Sequence, residues 1–380
     1  MTSGRRPDST VLLTGATGFV GMSVLARLLE RSRRRIVTVV RAADRAAAQE
    51  RLRGVLGRLF GDATAHADRV EALPGDVTAP ALGLSGATAA SLAERIGAVV
   101  HCAASVSFSQ PLEEARAINA EGTRSVLDLT RLAAERGGLE RLVHVSTAYV
   151  AGTHEGTFRE ADLDVGQGFR NSYERSKHEA ERLVHDRAEG IPTSIARPSI
   201  IVGERETGWT AAFNVLYWPL RAFARGLYDV VPAVPSTHVD IVPVDYVADG
   251  ILALLDRPAA PARPETFPLT AGRDATTIGE VMELATDYFD REPPRVVPPG
   301  QFDRALAGRR LSATQTAALE QSAPYFPYLT MSSRFDDREA RRVLEPAGLR
   351  PPPIREYFDR LMDFATAAKW GKRRIDRAAV

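Results

Sequence analysis

The sequence predicts an α/β protein in which a parallel sheet is covered by helices on both faces. A short apolar run at residues 11–13 leads into three glycines spaced three apart and then into an amphipathic helix. Further apolar runs without polar alternation recur along the chain, as in a parallel sheet buried on both faces, and segments with helical spacing separate them. The 380 residues suffice for one large α/β domain with a smaller appendage.

The first strand, turn and helix form the motif around which the chain is organised, Thr-Gly-Ala-Thr-Gly-Phe-Val-Gly at residues 14–21. Gly15 allows a turn with positive φ, Gly18 allows close approach of a pyrophosphate, and Gly21 allows the helix to lie against the strand. The free N–H groups at the start of the helix then face the phosphates. Strand, turn and helix follow in the order of a Rossmann-type dinucleotide site, whereas a glycine-rich turn alone is often only a turn. The expected cofactor contacts here are Gly15, Thr17, Gly18, Phe19, Val20 and Gly21.

The second buried strand, residues 36–40, ends in Arg41. An acidic residue near this point would hold the 2′-hydroxyl of NAD, whereas an arginine suits the 2′-phosphate of NADP. Arg45 and Arg51 follow on the next helix and add charge to the same phosphate, although the nearby Asp44 supports the opposite interpretation. Because a guanidinium pairs with phosphate in bidentate fashion, we expect NADPH to be the cofactor, with Arg41 and Arg51 at its phosphate.

Later strands bring more residues toward the predicted cofactor site. Residues 73–77 end the third strand, where Asp76 and Val77 would meet the adenine edge. Residues 98–104 form the fourth strand and run into Ser105, and the small side chains of Ala103 and Ala104 permit close approach of the cofactor. Residues 141–147 form the fifth strand. The only cysteine, Cys102, ends the fourth strand among alanines, and we interpret it as a buried packing residue.

A helix predicted from Asn171 to Ala188 carries Tyr173 and Lys177, which lie on one face because they are four residues apart. The pair is informative because the chain has only two other lysines. With nine tyrosines in the chain, any Tyr-x-x-x-Lys pattern has a chance of about 0.07. The alternative interpretation is an exposed i,i+4 pair without a chemical role.

The character of the chain changes after Gly203. Aromatic residues and arginines in residues 209–228 suggest an amphipathic helix over an apolar pocket, with plain core packing or a membrane-surface helix as alternatives. The sequence predicts a terminal helix at residues 354–370 and proline-rich connectors at 258–268 and 293–299. We therefore expect an NADP-binding domain at 1–205, to which 239–257 return, and a mostly helical substrate-binding region at 206–238 and 258–380.

Composition narrows the function classes. The net charge of +1, from 49 basic and 48 acidic residues, provides no global field for nucleic acid or an acidic membrane. One cysteine cannot form an internal disulfide, and the first residues contain no long apolar stretch, so we expect a cytoplasmic protein. No stretch reaches the roughly 18 to 20 apolar residues of a membrane span. We predict no metal site and no nucleic-acid partner.

Seven segments carry a resemblance to a known family. They are Thr-Gly-Ala-Thr-Gly-Phe-Val-Gly (14–21), Val-Val-Arg-Ala (39–42), His-Cys-Ala-Ala-Ser-Val-Ser-Phe (101–108), Ser-Thr-Ala-Tyr-Val-Ala-Gly (146–152), Tyr-Glu-Arg-Ser-Lys (173–177), Arg-Pro-Ser-Ile-Ile-Val-Gly (197–203) and Val-Asp-Ile-Val-Pro-Val-Asp-Tyr-Val (239–247). Together they resemble the extended short-chain dehydrogenase/reductases, and within them the thioester reductase and fatty acyl-CoA reductase branch. The resemblance implies a catalytic trio of Thr147, Tyr173 and Lys177, with Ser146 as the rival for the hydroxyl role. It also implies cofactor contacts at Ala103, Ala104, Ser105, Asn119, Pro198 and Ile200, and at Tyr173 and Lys177 themselves.

The resemblance implies NADPH-dependent reduction of an acyl thioester by direct hydride transfer. Hydride addition gives a hemithioacetal oxyanion, whose collapse expels the thiolate and leaves an aldehyde; a second hydride would give the alcohol. Lys177 and the nicotinamide charge would lower the pKa of Tyr173 from its usual value near 10 toward 7. Because no adenylation or carrier domain precedes the reductase, the thioester, bound to CoA or to an acyl carrier protein, is expected to arrive in trans.

Other functions stay open on the sequence alone. The same superfamily includes ketone or hydroxysteroid-type dehydrogenases and nucleotide-sugar epimerases, and an NADP-sensing module without catalysis would share the fold. The intact Tyr173 and Lys177 pair argues against a module without catalysis. The aromatic segment at 209–228 favours an apolar acyl substrate over a sugar nucleotide.

Overall fold

The computed structural model of the protein describes residues 9–136, 138–257, 263–307 and 309–380. The strands in these ranges are β1 (Thr10–Thr14), β2 (Ile36–Val40), β3 (Val70–Pro74), β4 (Ile96–His101), β5 (Arg141–Val145), β6 (Gly156–Phe158), β7 (Thr193–Pro198), β8 (Ile200–Val202), β9 (Val230–Pro232), β10 (His238–Val239), β11 (Ile241–Pro243), β12 (Pro264–Leu269), β13 (Thr276–Thr277), β14 (Arg295–Val297) and β15 (Ser333–Phe335). The α-helices are α1 (Phe19–Arg31), α2 (Arg45–Phe60), α3 (Gly86–Arg95), α4 (Leu112–Arg116), α5 (Gly122–Glu135), α6 (Ser172–Arg187), α7 (Tyr217–Ala224), α8 (Val244–Leu255), α9 (Ile278–Phe289), α10 (Phe302–Leu306), α11 (Ala313–Ser322), α12 (Arg338–Leu344) and α13 (Phe358–Ala367).

Seven parallel strands form the central sheet in the order β3-β2-β1-β4-β5-β7-β12. The side chains of β1 alternate between two cores, since Val11 and Leu13 pack on one face and Leu12 on the other. All three are fully buried, as expected for a parallel strand covered on both faces. The chain order of the strands reverses between β1 and β4, and a crevice at the carboxyl ends of the strands is expected there. The predicted α/β, doubly wound fold is confirmed.

Three predictions about the later strands and connectors need correction. The proline-rich stretch 258–268 is not a connector where it is described, because Pro264–Leu269 form the edge strand β12; residues 258–262 lie outside the described residues. An edge position tolerates prolines, which lack a ladder donor. The connector predicted at 293–299 likewise contains β14, which pairs with β9. The predicted sixth strand divides at Ser199, where β8 leaves the sheet to pair with β11.

The helix predicted within residues 209–228 is shorter than expected, since α7 spans only Tyr217–Ala224. Upstream of it, the Thr210 hydroxyl bonds to the backbone of Ala212 at 2.7 Å, which offers the chain a turn instead of a helix. The terminal helix is present as α13, preceded by a 3₁₀ turn at Ile354–Glu356. Its five predicted apolar residues are all buried, namely Ile354, Tyr357, Phe358, Leu361 and Ala365.

A third hydrophobic core, separate from the two on the faces of the sheet, joins the later elements. It includes Val202 of β8, Leu220 of α7, Val281 of α9 and Leu361 of α13. Helix α8 instead packs with α1 in the core that contains Val11 and Leu13. Within the described ranges, no helix is both long and apolar enough to cross a membrane.

Candidate active site

A cavity of about 900 Å³ lies at the carboxyl ends of β1, β4, β5 and β7, beside the point where the strand order reverses. Its lower end is the glycine motif, and its upper end is formed by later segments of the chain. Cys102 and Ser146 are on its wall. The cavity brings together these residues predicted from the sequence: Gly15, Gly18, Phe19, Val20, Gly21, Ala104, Ser105, Thr147, Tyr173, Lys177, Pro198 and Ile200.

The glycine motif forms a cradle that side chains would fill. Gly15 has a φ of +75°, and a Cβ there would lie 2.7 Å from the backbone nitrogen of Ala103. A Cβ at Gly21 would lie 2.1 Å from the carbonyl oxygen of Gly15. Gly18 is the N-cap of α1 without a side-chain cap, so the first amides of α1 are open to the cavity. This arrangement fits a pyrophosphate at the helix N-terminus. Thr17, by contrast, is half-buried beside the cavity without lining it.

The residues predicted to bind the 2′-phosphate lie just beyond the end of β2, outside the cavity wall. Arg41 is exposed, and its carbonyl oxygen accepts a hydrogen bond from the guanidinium of Arg51. Asp44 caps α2 by accepting a backbone N–H at 2.8 Å, so its carboxylate is used there. Arg45 makes an ion pair with Glu71 at 2.6 Å. Within the described part of the chain, the Arg41 guanidinium makes no ion pair and stays available for an anion.

Asp76, Val77 and Asn119 also lie outside the cavity wall. Asp76 accepts hydrogen bonds from the backbone N–H and the hydroxyl of Thr78, both at 2.9 Å. Val77 packs beside Gly122. Ala103 is next to the cavity rather than on its wall, and its N–H donates to the Thr14 hydroxyl at 3.3 Å. These residues shape the loops around the cavity.

Asn119 connects the loop after β4 to α6. It lies in a π-helical turn, Ala117–Glu121, between α4 and α5. Its side-chain oxygen accepts the Ser105 N–H at 2.7 Å, and its amide donates to the Ser176 hydroxyl at 2.9 Å. π-Helical turns occur frequently at functional sites. Asn119 therefore connects the loop after β4 to Ser176, which directly precedes Lys177 on α6.

Thr147 and its rival Ser146 follow β5 and differ in what their hydroxyls contact. The Ser146 hydroxyl donates to the buried carboxylate of Glu181, which forms a buried ion pair with Arg197. The Thr147 hydroxyl lies 3.3 Å from the carbonyl oxygen of Pro198 and shares a hydrogen bond with Tyr173. Thr147 is thus the hydroxyl that meets the tyrosine.

Helix α6 begins with Asn171 as its N-cap, which accepts the Glu174 N–H at 3.0 Å, and it presents Tyr173 and Lys177 to the cavity. Burial raises the pKa of Tyr173 to about 12, and the hydrogen bond with Thr147 opposes this. Burial of Tyr173 therefore acts against the expected lowering of its pKa toward 7. The phenol is neutral at pH 7 and can donate a proton.

Lys177 is almost fully buried, and its ammonium donates to the carbonyl oxygen of Val145 at 2.8 Å. Burial lowers the pKa of Lys177 to about 8, although the Glu181 carboxylate acts in the opposite direction. The group is therefore still mainly charged at pH 7. Burial lowers the pKa of His101 to about 3, and the positive charge of Lys177 acts in the same direction.

Cys102 departs from its prediction in one respect. It is half-buried on the cavity wall instead of fully buried in the sheet. Burial nonetheless raises the pKa of its thiol to about 12. A thiol that stays protonated is a poor nucleophile, so the wall position alone does not make Cys102 reactive.

An aromatic wall that sequence reasoning missed closes the upper end of the cavity. It consists of Phe108, Tyr173, Tyr325 and Tyr328, with the Phe108 ring 5.8 Å from Tyr173 and 5.5 Å from each of the other two. The Tyr328 hydroxyl donates to the fully buried Glu174 carboxylate at 2.6 Å. The only sequence signal was an acid three residues after the Asn171 cap, which by itself indicates a helix start. Nothing local links it to Tyr328, 154 residues away.

The family model described as male sterility protein (NAD_binding_4) matches residues 13–251, more than half of the chain. The chain belongs to this family. The predicted resemblance to extended short-chain dehydrogenase/reductases is confirmed, and this family member is an NAD(P)-dependent oxidoreductase that uses a nicotinamide cofactor. Among the described residues, no group of three or more His, Cys, Asp or Glu side chains is arranged to hold a metal ion.

Two relatives and one solved structure illustrate the similarity. The isonitrile lipopeptide synthase of Streptomyces coeruleorubidus is 36% identical over 309 residues, which cover 80% of this chain and 20% of the synthase. The fatty acyl-CoA reductase wat of Drosophila melanogaster is 28% identical over 283 residues, covering 65% of this chain and 54% of the reductase. This chain thus spans about a fifth and about half of their lengths. The terminal R domain of the myxalamid PKS-NRPS pathway superposes with a TM-score of 0.82 at 26% identity, covering 98% of this chain and 94% of that domain.

Proposed function

We propose that this protein reduces an acyl thioester to an aldehyde with NADPH as its hydride donor. The observation that carries the proposal is the cavity in which Thr147, Tyr173 and Lys177 lie between an uncapped glycine-rich helix start and an apolar upper end. The similarity to a fatty acyl-CoA reductase and to a terminal R domain supports the thioester as substrate. The free guanidinium of Arg41, with Asp44 committed to a helix cap, supports NADPH over NADH.

The side chains of the trio fit the needs of carbonyl reduction. When bound, NADPH supplies the hydride, and negative charge then develops on the substrate carbonyl oxygen. The neutral phenol of Tyr173 donates to that oxygen, and the Thr147 hydroxyl is a second donor. Lys177 holds a positive charge nearby, fixed by the Val145 carbonyl. These donors stabilise charge that is absent from the ground state, which is where binding energy accelerates a reaction.

The overall step balances with one hydride and one proton. The hydride forms a C–H bond at the carbonyl carbon, and the proton leaves the oxygen as the C–S bond breaks and joins the departing sulfur. The products are an aldehyde and a free thiol. A second turnover with fresh NADPH would convert the aldehyde into an alcohol.

A basic cleft beside the cavity supports a thioester with a phosphate-bearing arm. The cleft of about 180 Å³ shares Trp218 and Gln321 with the main cavity and is lined by Arg221 and Arg225. Neither arginine has an acidic partner in the described part of the chain. Burial lowers the pKa of Arg221, and the charge of Arg225 lowers it further. CoA and the phosphopantetheine arm of a carrier protein both carry a phosphate that would relieve this repulsion, which fits delivery in trans.

We assign the substrate-binding role to residues 206–238 and 258–380, apart from β12. This division is supported by Val215, Trp218, Tyr325 and Tyr328, which line the cavity from those segments. Their apolar character favours an acyl chain over the sugar nucleotide of an epimerase. The single cysteine fits a cytoplasmic location, where thiols stay reduced.

Product analysis by mass spectrometry tests the proposal. The purified protein is incubated with NADPH and separate panels of acyl-CoAs, acyl carrier proteins, ketones and UDP-sugars. We expect an aldehyde or alcohol from a thioester, with release of free thiol and consumption of NADPH in a fixed ratio. Turnover confined to ketones or UDP-sugars would move the assignment to the corresponding enzyme class. Tight NADPH binding without any product would favour the sensing module.

A further inference from the structure

An apolar side chamber of about 120 Å³ adjoins the main cavity. The two share Ile200, Val215, Tyr325 and Tyr328, which therefore form the mouth of the side chamber. Beyond the mouth, its walls come from α7, β9 and α9 and include Leu220, Phe223, Val231, Val281, Met282 and Ala285. The chamber is thus an apolar extension of the space that Tyr173 and Thr147 face.

The lining of the side chamber offers almost no polar atoms. Two of its tyrosines direct their hydroxyls elsewhere, because Tyr228 bonds to Ser322 and Tyr328 bonds to Glu174. A space lined only by carbon stays dry and takes up apolar ligands. Sugars, phosphates and charged groups would leave their hydrogen bonds unmade here, at a cost that excludes them.

The mouth is fixed relative to the reacting groups. The Tyr328 hydroxyl accepts a hydrogen bond from Asn171 at 2.8 Å and donates one to Glu174 at 2.6 Å. Both partners belong to the start of α6, and Glu174 directly follows Tyr173. An apolar chain that enters past Tyr328 therefore keeps its carbonyl end beside Tyr173.

We propose that the side chamber holds the distal end of the substrate's acyl chain and limits its length. At roughly 30 Å³ per small group, the liquid volume of one water, the chamber holds about four methylene groups. The ligand class is an acyl group whose apolar chain is long enough to reach past the mouth and short enough to end inside. This proposal depends on the proposed function in one respect, namely that the acyl chain ends in a thioester beside Tyr173.

Binding measured with a chain-length series tests the proposal without turnover. Saturated acyl-CoAs from butanoyl to dodecanoyl are titrated calorimetrically in the presence of NADP⁺, which cannot deliver a hydride. Each methylene that enters the chamber should lower Kd by about fourfold, equivalent to about 0.8 kcal/mol. The gain in affinity per methylene should stop at a defined length of the acyl chain. With NADPH, kcat/KM should follow the same series.

Two substitutions should move that limit in opposite directions. Ala285→Leu fills part of the chamber, so the limit should fall by about two to three carbons while butanoyl-CoA binds as before. Met282→Ala enlarges it, so the limit should rise by about two carbons. Ala253→Leu is the matched control, because the same change is made on α8, outside both cavities.

The outcomes separate this proposal from the proposed function. Affinity independent of chain length, or a limit that neither variant moves, overturns the side chamber as an acyl site even if thioesters are reduced. A limit that moves as expected while no thioester is reduced supports the chamber and contradicts the proposed function. If Ala285→Leu fails to fold, Met282→Ala alone tests the side chamber as the acyl site. An upward shift of the length limit supports it, and an unchanged limit overturns it.

Discussion

In the proposed active-site cavity, the end that we assign to the cofactor and the end that we assign to the substrate are built from different parts of the chain. The cofactor end is made of backbone, since Gly15 and Gly21 have neighbours within 3 Å of where a Cβ would lie and α1 presents uncapped amides. The substrate end is made of side chains, among them Phe108, Tyr325 and Tyr328, that come from distant segments. A binding surface made of backbone requires glycine at fixed spacing, and a side-chain surface requires only a shape. The first therefore leaves a local sequence pattern, and the second does not.

Both ends of the cavity are connected to the beginning of α6 by hydrogen bonds. Lys177 is linked through Ser176 and Asn119 to the loop after β4. Glu174, on the same helix, accepts the hydroxyl of Tyr328 from the substrate end. Tyr173 directly precedes Glu174 and lies one helical turn before Lys177. The comparison predicts that changes at Tyr173 affect chemistry most, and that changes farther toward either end affect mainly binding at that end.

Tyr173→Phe should have the largest effect. It removes a donor that acts mainly in the transition state, so we expect kcat to fall by roughly 10² to 10⁴-fold, the usual range for a positioned acid. NADPH affinity should change little, because the ring is retained. Steady-state kinetics with a confirmed substrate and a fluorescence titration of NADPH measure both quantities. Tyr325→Phe, on the same aromatic wall, is the control and should keep kcat within a few-fold. Near-normal turnover by Tyr173→Phe would make the Tyr173 and Lys177 pair structural.

Arg41→Ala should affect only the cofactor end. Loss of a charge-assisted phosphate contact should weaken NADPH binding by about 1 to 3 kcal/mol, whereas NADH, which lacks the 2′-phosphate, should bind almost as before. Titrating both cofactors by fluorescence gives the two dissociation constants. Arg45→Ala is the control, because Arg45 is already paired with Glu71. Equal losses for the two cofactors would contradict a specific contact to the 2′-phosphate.

Sequence predicted the backbone end of the cavity and the helix between the ends far better than the substrate end. The predicted helix from Asn171 to Ala188 matches α6, because its cap and apolar spacing are local. β12 was missed because Pro264 and Pro268 indicate a connector, and only pairing with β7, 71 residues earlier, makes this segment a strand. The Tyr328–Glu174 contact has the same character. Tyr328 and Glu174 are 154 residues apart and become neighbours only in the folded chain, so no local pattern around either residue predicts their hydrogen bond.

The charge of Lys177 should make binding at the cofactor end depend on pH. Burial lowers its pKa to about 8, so the ammonium is present below pH 8 and is lost as the pH rises above it. We expect the Kd for NADPH to be flat from about pH 7 to 8 and then to rise, by at most about tenfold per pH unit for one group. Lys177→Met should weaken binding and remove this break. A wild-type profile without a break up to pH 9.5 would contradict the role of the charge.

Tyr328→Phe should disturb the connection between the two ends. It removes a hydrogen bond to a fully buried carboxylate, Glu174, and should lower the free energy of unfolding by about 1 to 3 kcal/mol. Because the mouth of the side chamber shifts relative to Tyr173, kcat should fall several-fold while NADPH affinity stays constant. Denaturant unfolding and steady-state kinetics measure these effects. Tyr325→Phe again serves as control, and equal stability of the two variants would show that the Glu174 contact contributes nothing.

Cys102→Ala should have the smallest effect, although Cys102 lies on the wall at the cofactor end. A mechanism through a cysteine acyl-enzyme requires an exposed thiolate of low pKa, and burial raises the pKa of Cys102 to about 12. The variant should therefore keep most of its kcat, and mass spectrometry of the wild-type protein with an acyl-CoA should detect no acyl adduct at this position. Loss of kcat in a folded variant, together with a trapped adduct, would replace direct hydride transfer to the thioester with covalent catalysis.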